Sequence, residues 1–167
     1  VYREESFLFF LDPRSKEFLY RFWFYKKSTN PLNFSSDTEV EKKRISNVIP
    51  NSELDLVYNK SFILNYNFEN INAISFNKGC YIGQENTSRI KLKNKLNKRL
   101  LPFKILNGSL SENDNITYNE KEIGKTLLSN KYTFGLVKLN NDIFSFDKIF
   151  KCGNAEIKFF KPEWLNL

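Results

Sequence analysis

From about residue 99 onward, short apolar runs alternate with polar turn signals, and few architectures accept that spacing. The runs fall at 100–106, 116–118, 123–128, 132–139 and 155–160. Between them lie Asn107-Gly108, Asn113-Asp114-Asn115, Asn119-Glu120, Ser129-Asn130 and Asn140-Asn141. Asparagine, aspartate and glycine tolerate the backbone conformations of tight turns, so such clusters punctuate strands. A series of short strands must hide its sheet edges, and closure into a small antiparallel barrel does so. Residues 98–167 are therefore expected to form a small β-barrel domain. Cys152 stands beside Gly153 in a late turn of this region and is given no role.

Residues 1–97 have a different texture. The continuous apolar run Phe7-Leu8-Phe9-Phe10-Leu11 reads as the end of a buried strand over 1–11, stopped by Pro13. Residues 15–22 suggest a short helix, 21–25 the next strand, and 30–36 a polar loop. Ser36-Asp37-Thr38-Glu39 fits a capping box. Val40, Arg44, Ile45, Val48 and Ile49 then recur at helical spacing until Pro50 ends the helix. Arg44 falls on or beside the apolar face, where a charge is either paired or reaches solvent along its stem. Residues 50–55 read as a turn, 61–66 as strand or extended chain, and 86–98 as a short helix changing to strand near Arg99. Helix and strand followed by a barrel make the fold class α+β. No repeat or low-complexity linker separates the two parts.

Composition narrows the function classes. The 167 residues include 17 phenylalanines and 8 tyrosines, so aromatic packing should dominate the core. A net charge of +7 favours an anionic partner, although surface lysine also serves solubility. The densest positive stretch, 91–99, has no aromatics between its lysines for base stacking, so it reads as a solvated face rather than a nucleic-acid site. No histidine is present, which removes imidazole bases and His-ligated zinc. Two cysteines make neither a disulfide framework nor the four thiolates of an ordinary iron–sulfur site, so no metal is expected to be bound within this chain. No apolar run approaches the ~18 residues of a spanning helix, so no membrane partner is expected. The chain opens with Val1 and contains no methionine, which reads as a fragment or a processed product.

Chemistry concentrates in Lys78-Gly79-Cys80-Tyr81-Ile82-Gly83-Gln84-Glu85, followed by Thr87 and Arg89. Two of the six glycines lie here, as in a shaped loop. Lys78 and Arg89 are cations of the kind that favour a thiolate at Cys80. Gln84 and Glu85 offer an amide and a carboxylate suited to a polar heterocycle. On spacing alone two readings stay open, a reactive thiol or a small buried hydrophobe in a tight turn. Arg14 and Arg21, on spacing alone, read as solvated strand ends.

The same residues resemble the signature of the YgfZ-like folate-binding proteins, to which mitochondrial CAF17-type proteins also belong. These are relatives of the glycine-cleavage T-protein that assist iron–sulfur cluster assembly. Asp12-Pro13-Arg14 with Arg21, Arg44-Ile45 through Ile49-Pro50 and Asp55-Leu56, Ala73-Ile74-Ser75-Phe76, and Ile123-Gly124 with Ser129 resemble further elements of that family. The family carries glycine where this chain has Leu19 and Val48. It carries Pro-x-Glu where this chain has Ile63-Leu64-Asn65, so Asn65 keeps a hydrogen-bonding group without the charge.

The resemblance implies that residues 1–97 are part of a T-protein-like folate-binding domain whose N-terminal portion is missing, with the barrel after it. It implies a non-catalytic accessory factor for cluster assembly or repair, supporting tRNA-modifying cluster enzymes among others. The implied ligand is tetrahydrofolate. The implied partners are iron–sulfur enzymes or cluster-assembly proteins. Cys80 would be the functional thiol. Lys78, Gly79, Tyr81, Gly83, Gln84, Glu85, Arg89, Arg14, Arg21 and Arg44 would serve the folate. The compartment would be the cytoplasm in a bacterium and the mitochondrial matrix in a eukaryote. The alternatives are an aminomethyltransferase-like one-carbon transferase and a basic RNA-binding module, the latter resting on charge alone.

Overall fold

Along the chain the elements run β1 (Tyr2–Arg3), β2 (Phe7–Leu11), β3 (Tyr20–Phe24), α1 (Asp37–Ser46), a 3-10 turn at Ile63–Tyr66, and α2 (Gln84–Leu92). Then follow β4 (Lys98–Asn107), β5 (Asn115–Tyr118), β6 (Lys121–Ser129), β7 (Tyr132–Lys138), β8 (Phe150–Cys152) and β9 (Ala155–Phe159). The computed structural model describes residues 1–16, 19–25, 35–93, 96–129, 132–139 and 143–165.

The last six strands close into an antiparallel barrel of order β4-β7-β6-β5-β8-β9. β4 makes the closure by serving two neighbours. Its first half pairs with β7 as far as Pro102, and from Phe103 it pairs with β9. Pro102 sits at the handover, where the missing N–H is tolerated, and its carbonyl accepts the Phe160 N–H at 2.9 Å. The period of two sends Leu101 and Phe103 inward and Leu100 outward. Inside, the Phe103–Phe159, Phe144–Phe150, Phe144–Phe159 and Phe150–Phe159 ring pairs all have centroids 5.4 Å apart. Such offset and edge contacts suit the ring quadrupoles. At Gly124 a Cβ would lie 2.3 Å from the Leu136 carbonyl oxygen, so β6 and β7 approach there as only glycine allows.

β8 is not anticipated by the sequence, because a run of three residues shows no period. Cys152 is not in a turn. It is the buried last residue of β8, and the turn follows it. Burial, then the Asp114 charge, pushes its thiol up to about 12, so Cys152 is an inert packing group.

The first half attaches to the outer face of the β4–β7 wall. Ile45 and Val48 pack with Tyr66 against Leu100 and Phe134. The capping box of α1 is present: the Glu39 N–H donates to Ser36 Oγ at 3.3 Å, and the Ser36 N–H donates to Glu39 Oε2 at 2.9 Å. The helix ends at Ser46, earlier than Pro50 suggests. Val48 turns left-handed at φ 53, its N–H returns to Ile45 O, and the Ile49 N–H returns to Arg44 O at 3.0 Å. This is the Schellman pattern of helix termination.

Residues 61–66, read above as extended, instead contain the 3-10 turn. Asn67 takes φ 64 after it, and its buried side chain donates to Leu100 O at 2.8 Å. The strand expected over 1–11 is two strands, broken where the Glu4 N–H donates to Phe7 O. β1, β2 and β3 form a separate antiparallel sheet. Its Phe7, Phe9 and Phe22 are half-exposed rather than buried. The helix expected over 15–22 gives way to β3 from Tyr20, which pairs with Leu11. Residues 17–18 of that expectation, 30–34 of the polar loop, and parts of the turns at 129–130 and 140–141 lie outside the described residues.

Candidate functional site: the Cys80 loop

The signature straddles a loop and a helix. Gly83 is the N-cap of α2 at φ 86, a conformation that favours glycine. Gln84 Oε1 accepts the Tyr81 N–H at 3.0 Å, so its amide ties the loop to the helix. Thr87, buried one turn on, donates from Oγ1 to Gly83 O at 3.1 Å. These bonds are local, which is why the spacing is tight.

Cys80 is exposed at the head of this arrangement. The two cations near it in sequence have partners of their own. Lys78 Nζ lies 4.9 Å from the centre of the Tyr81 ring, and Arg89 pairs with Glu85 at 2.5 Å one helical turn away. Gly79 takes no left-handed conformation, and a Cβ there would meet nothing within 4 Å. The loop itself therefore sets no requirement for glycine at 79.

Cys80 and Tyr81 open onto a depression of about 610 Å³ whose wall is one face of α2. Glu85, Ser88, Arg89 and Leu92 recur on that face at helical spacing, with Lys93 beyond. Ser88, Leu92 and Lys93 are not among the residues singled out from sequence, though the helical period running on from Glu85 points to them. The Tyr81 hydroxyl is buried and has no hydrogen-bond partner among the described residues.

Arg14, Arg21 and Arg44 lie elsewhere, and none lines this depression. Arg14 and Arg21 grip Asp12, which is only 1% exposed. Arg14 Nη2 reaches Asp12 Oδ2 at 2.8 Å and Arg21 Nε reaches the same oxygen at 2.6 Å. Burial raises the Asp12 pKa, but the bonds from Arg14 and Arg21 outweigh it and hold the carboxyl at about 2. This clamp closes the β2–β3 hairpin. Ser15 Oγ donating to Asn47 Oδ1 at 2.7 Å and Asn72 Nδ2 donating to Pro13 O at 2.8 Å fasten the hairpin to the body.

Arg44 is buried in the seam between α1 and the barrel. Its Nη1 donates to Asp55 Oδ2 at 2.6 Å and to Ile49 O at 2.8 Å, and its guanidinium lies 5.6 Å from the Phe134 ring centre. Burial opposes the charge, but the bonds to Glu41 and Asp55 prevail and raise the pKa. The basic stretch 91–99 is also partly spent on structure. Lys91 pairs with Glu69 and lies 4.1 Å from the Phe76 ring centre, and Arg99 donates to Leu64 O. Asn94 and Lys95 lie outside the described residues.

Known proteins agree with this architecture. A family model for the C-terminal β-barrel domain of CAF17 matches residues 97–167, and β4 opens the barrel at Lys98. A Saccharomyces cerevisiae protein, the mitochondrial iron–sulfur cluster assembly factor IBA57, is 36% identical over 84 residues, half of this chain and 17% of that protein. Its Mus musculus counterpart is 39% identical over 67 residues, 40% of this chain and 19% of that protein. The Dictyostelium discoideum homologue is 39% identical over 59 residues, 35% of this chain and 14% of that protein. The matched stretch is thus about a fifth of the length of these curated relatives or less. The closed six-stranded barrel lies where the CAF17 C-terminal domain model matches, and this match together with the mitochondrial cluster-assembly relatives is consistent with the YgfZ/CAF17 type.

Proposed function

We propose that this chain acts in iron–sulfur cluster assembly or repair, in the mitochondrial matrix, with the Cys80 loop as its working site. Residues 1–97 are read as part of a T-protein-like folate-binding domain. The observation that carries the reading is the contrast between the two cysteines: Cys152 is sealed in the barrel, while Cys80 is exposed beside a depression. A single accessible thiol supplies at most one ligand, so any contact with a cluster is shared with a partner protein that supplies the others.

The depression also suits part of a folate. Tyr81 offers a buried hydroxyl without a partner among the described residues, the Leu92 side chain an apolar surface, and Lys93 a cation for a carboxylate tail. Tetrahydrofolate, when bound, supplies a hydrogen-bonding pterin and one-carbon chemistry. The protein's own part is to orient the ring against Tyr81 and α2 and to keep Cys80 at its edge. Cluster enzymes, tRNA-modifying ones among them, are the proposed clients.

Cys80→Ser tests the site. An exposed thiol contributes little packing, so the melting temperature should stay within about 1 °C of the parent. Support of cluster enzymes in cells lacking the protein should be lost, while Cys152→Ser should retain that support in proportion to the folded fraction. A Cys80→Ser protein that folds normally and restores cluster-enzyme activity in full removes the site from the proposal.

A further inference from the structure

Two contiguous hollows lie where the end of α1 meets the segment after β9, and they share Ser46, Lys161 and Pro162. One, of about 340 Å³, is apolar, walled by Ile45, Pro102, Phe103 and Phe160. The other, of about 490 Å³, is basic, with Lys16, Lys43 and Lys161 around it and Trp164 forming one wall. Both fall within the size range of small-molecule sites. Neither shares a residue with the depression at Cys80.

The three lysines converge from separate parts of the chain: the hairpin, the last turn of α1, and the tail of the barrel. Among the described residues no carboxylate forms an ion pair with any of them. Among the described residues Glu163 is the one carboxylate lining the basic hollow. The carbonyl end of a helix disfavours anions. Here, however, Lys43 O already accepts Ser46 Oγ at 3.0 Å, Asn47 Nδ2 at 3.0 Å and the Asn47 N–H at 3.1 Å. Trp164 adds an independent observation. Its ring packs against both core clusters, yet its Nε1 is buried without a hydrogen-bond partner among the described residues. A buried N–H donor without an acceptor is a cost that an acceptor oxygen brought by a ligand would remove.

We propose that this groove binds an aromatic phosphate monoester, its phosphate held among Lys16, Lys43 and Lys161 and its ring laid against Pro102 and Phe160. A dianionic head suits three ammonium groups better than one carboxylate does, because charge-assisted bonds from several donors share the load. The site is independent of the Cys80 loop, so it stands or falls apart from the function proposed there.

The chain has two tryptophans, so their indole N–H signals can be followed by nitrogen-15 NMR and assigned with Trp23→Phe. Phenyl phosphate should shift the Trp164 indole signal saturably. Inorganic phosphate and phenol should each bind at least tenfold more weakly, since each fills one hollow only. Combined Lys43→Gln and Lys161→Gln should weaken phenyl phosphate at least tenfold with the barrel signals in place. Glu163→Gln should tighten it two- to threefold, and it reads the same electrostatics if the double variant unfolds. An unmoved Trp164 signal, equal binding of inorganic phosphate, or unchanged affinity in Glu163→Gln overturns the proposal.

Discussion

Val48 holds a conformation that its side chain opposes. At φ 53 it occupies the left-handed position that ends α1, where a β-branched residue is unusual. That conformation costs an L-residue about 1–2 kcal/mol. The same side chain is fully buried with Ile45, Tyr66, Leu100 and Phe134, which contributes about 1.5–3 kcal/mol. Burial therefore exceeds the strain by a small margin, and valine survives where glycine is the usual choice. Val48→Gly relieves the backbone and loses the packing, so it should destabilise by only about 1 kcal/mol. Val48→Ala keeps the strained backbone and loses most of the packing, so it should cost about 2 kcal/mol. Urea melts should rank glycine above alanine, the reverse of the order in a helix interior. Alanine ranked above glycine would mean that the left-handed turn is absent.

At the scale of elements, the β2–β3 hairpin is held by a clamp that titrates. The Asp12 carboxyl, at about 2 in the folded protein, lies below its ordinary value of 3.8. A group whose pKa is lowered by folding stabilises the fold above its unfolded pKa and loses that contribution as pH falls through the folded one. The clamp is thus fully present above about pH 4 and gone near pH 2, and with both arginines partly exposed it contributes about 1–2 kcal/mol. Asp12→Asn should lower stability by that amount at pH 6, and the two proteins should converge as pH approaches 2. A constant gap across that range would assign the effect to packing rather than charge. The sequence shows Asp12, Arg14 and Arg21 but not their convergence, because the hairpin that brings Arg21 back to Asp12 is not written in either residue. Locality separates what was legible from what was not. The capping box at Ser36 and Glu39, the loop leading into α2 and five barrel strands depend on neighbours within a few residues. The 3-10 turn before Asn67 depends on Leu100, and the burial of Arg44 depends on Asp55 and Phe134. No period over 61–66 or 40–49 could report those partners. The shaped loop around Cys80 was legible for the same reason, since the Tyr81 N–H to Gln84 Oε1 bond that ties it is local. Ser88, Leu92 and Lys93 belong to a helix face that emerges only once the helix is known to begin at Gln84.

The whole molecule is a barrel with a thinner assembly fastened to one wall. That wall carries Leu100 and Phe134 outward, and Arg44 bridges it to Asp55. The barrel has no free edge because β9 joins β4. Ending the chain at Gly153 removes β9 and leaves both β4 and β8 with unpaired edges beside an exposed phenylalanine core. Such a protein should lose its cooperative melt and aggregate. A monomeric truncated protein that still unfolds in one transition would show that five strands suffice. The closure also sets a schedule during synthesis. At about 5–20 residues per second, roughly 3–10 seconds separate the appearance of β4 from that of β9. Throughout that interval the second half of β4 has no partner, and Phe103 has no Phe159 to rest on. The barrel therefore closes only once β9 has emerged, and until then the unpaired half of β4 and the Phe103 ring stay open to wrong partners.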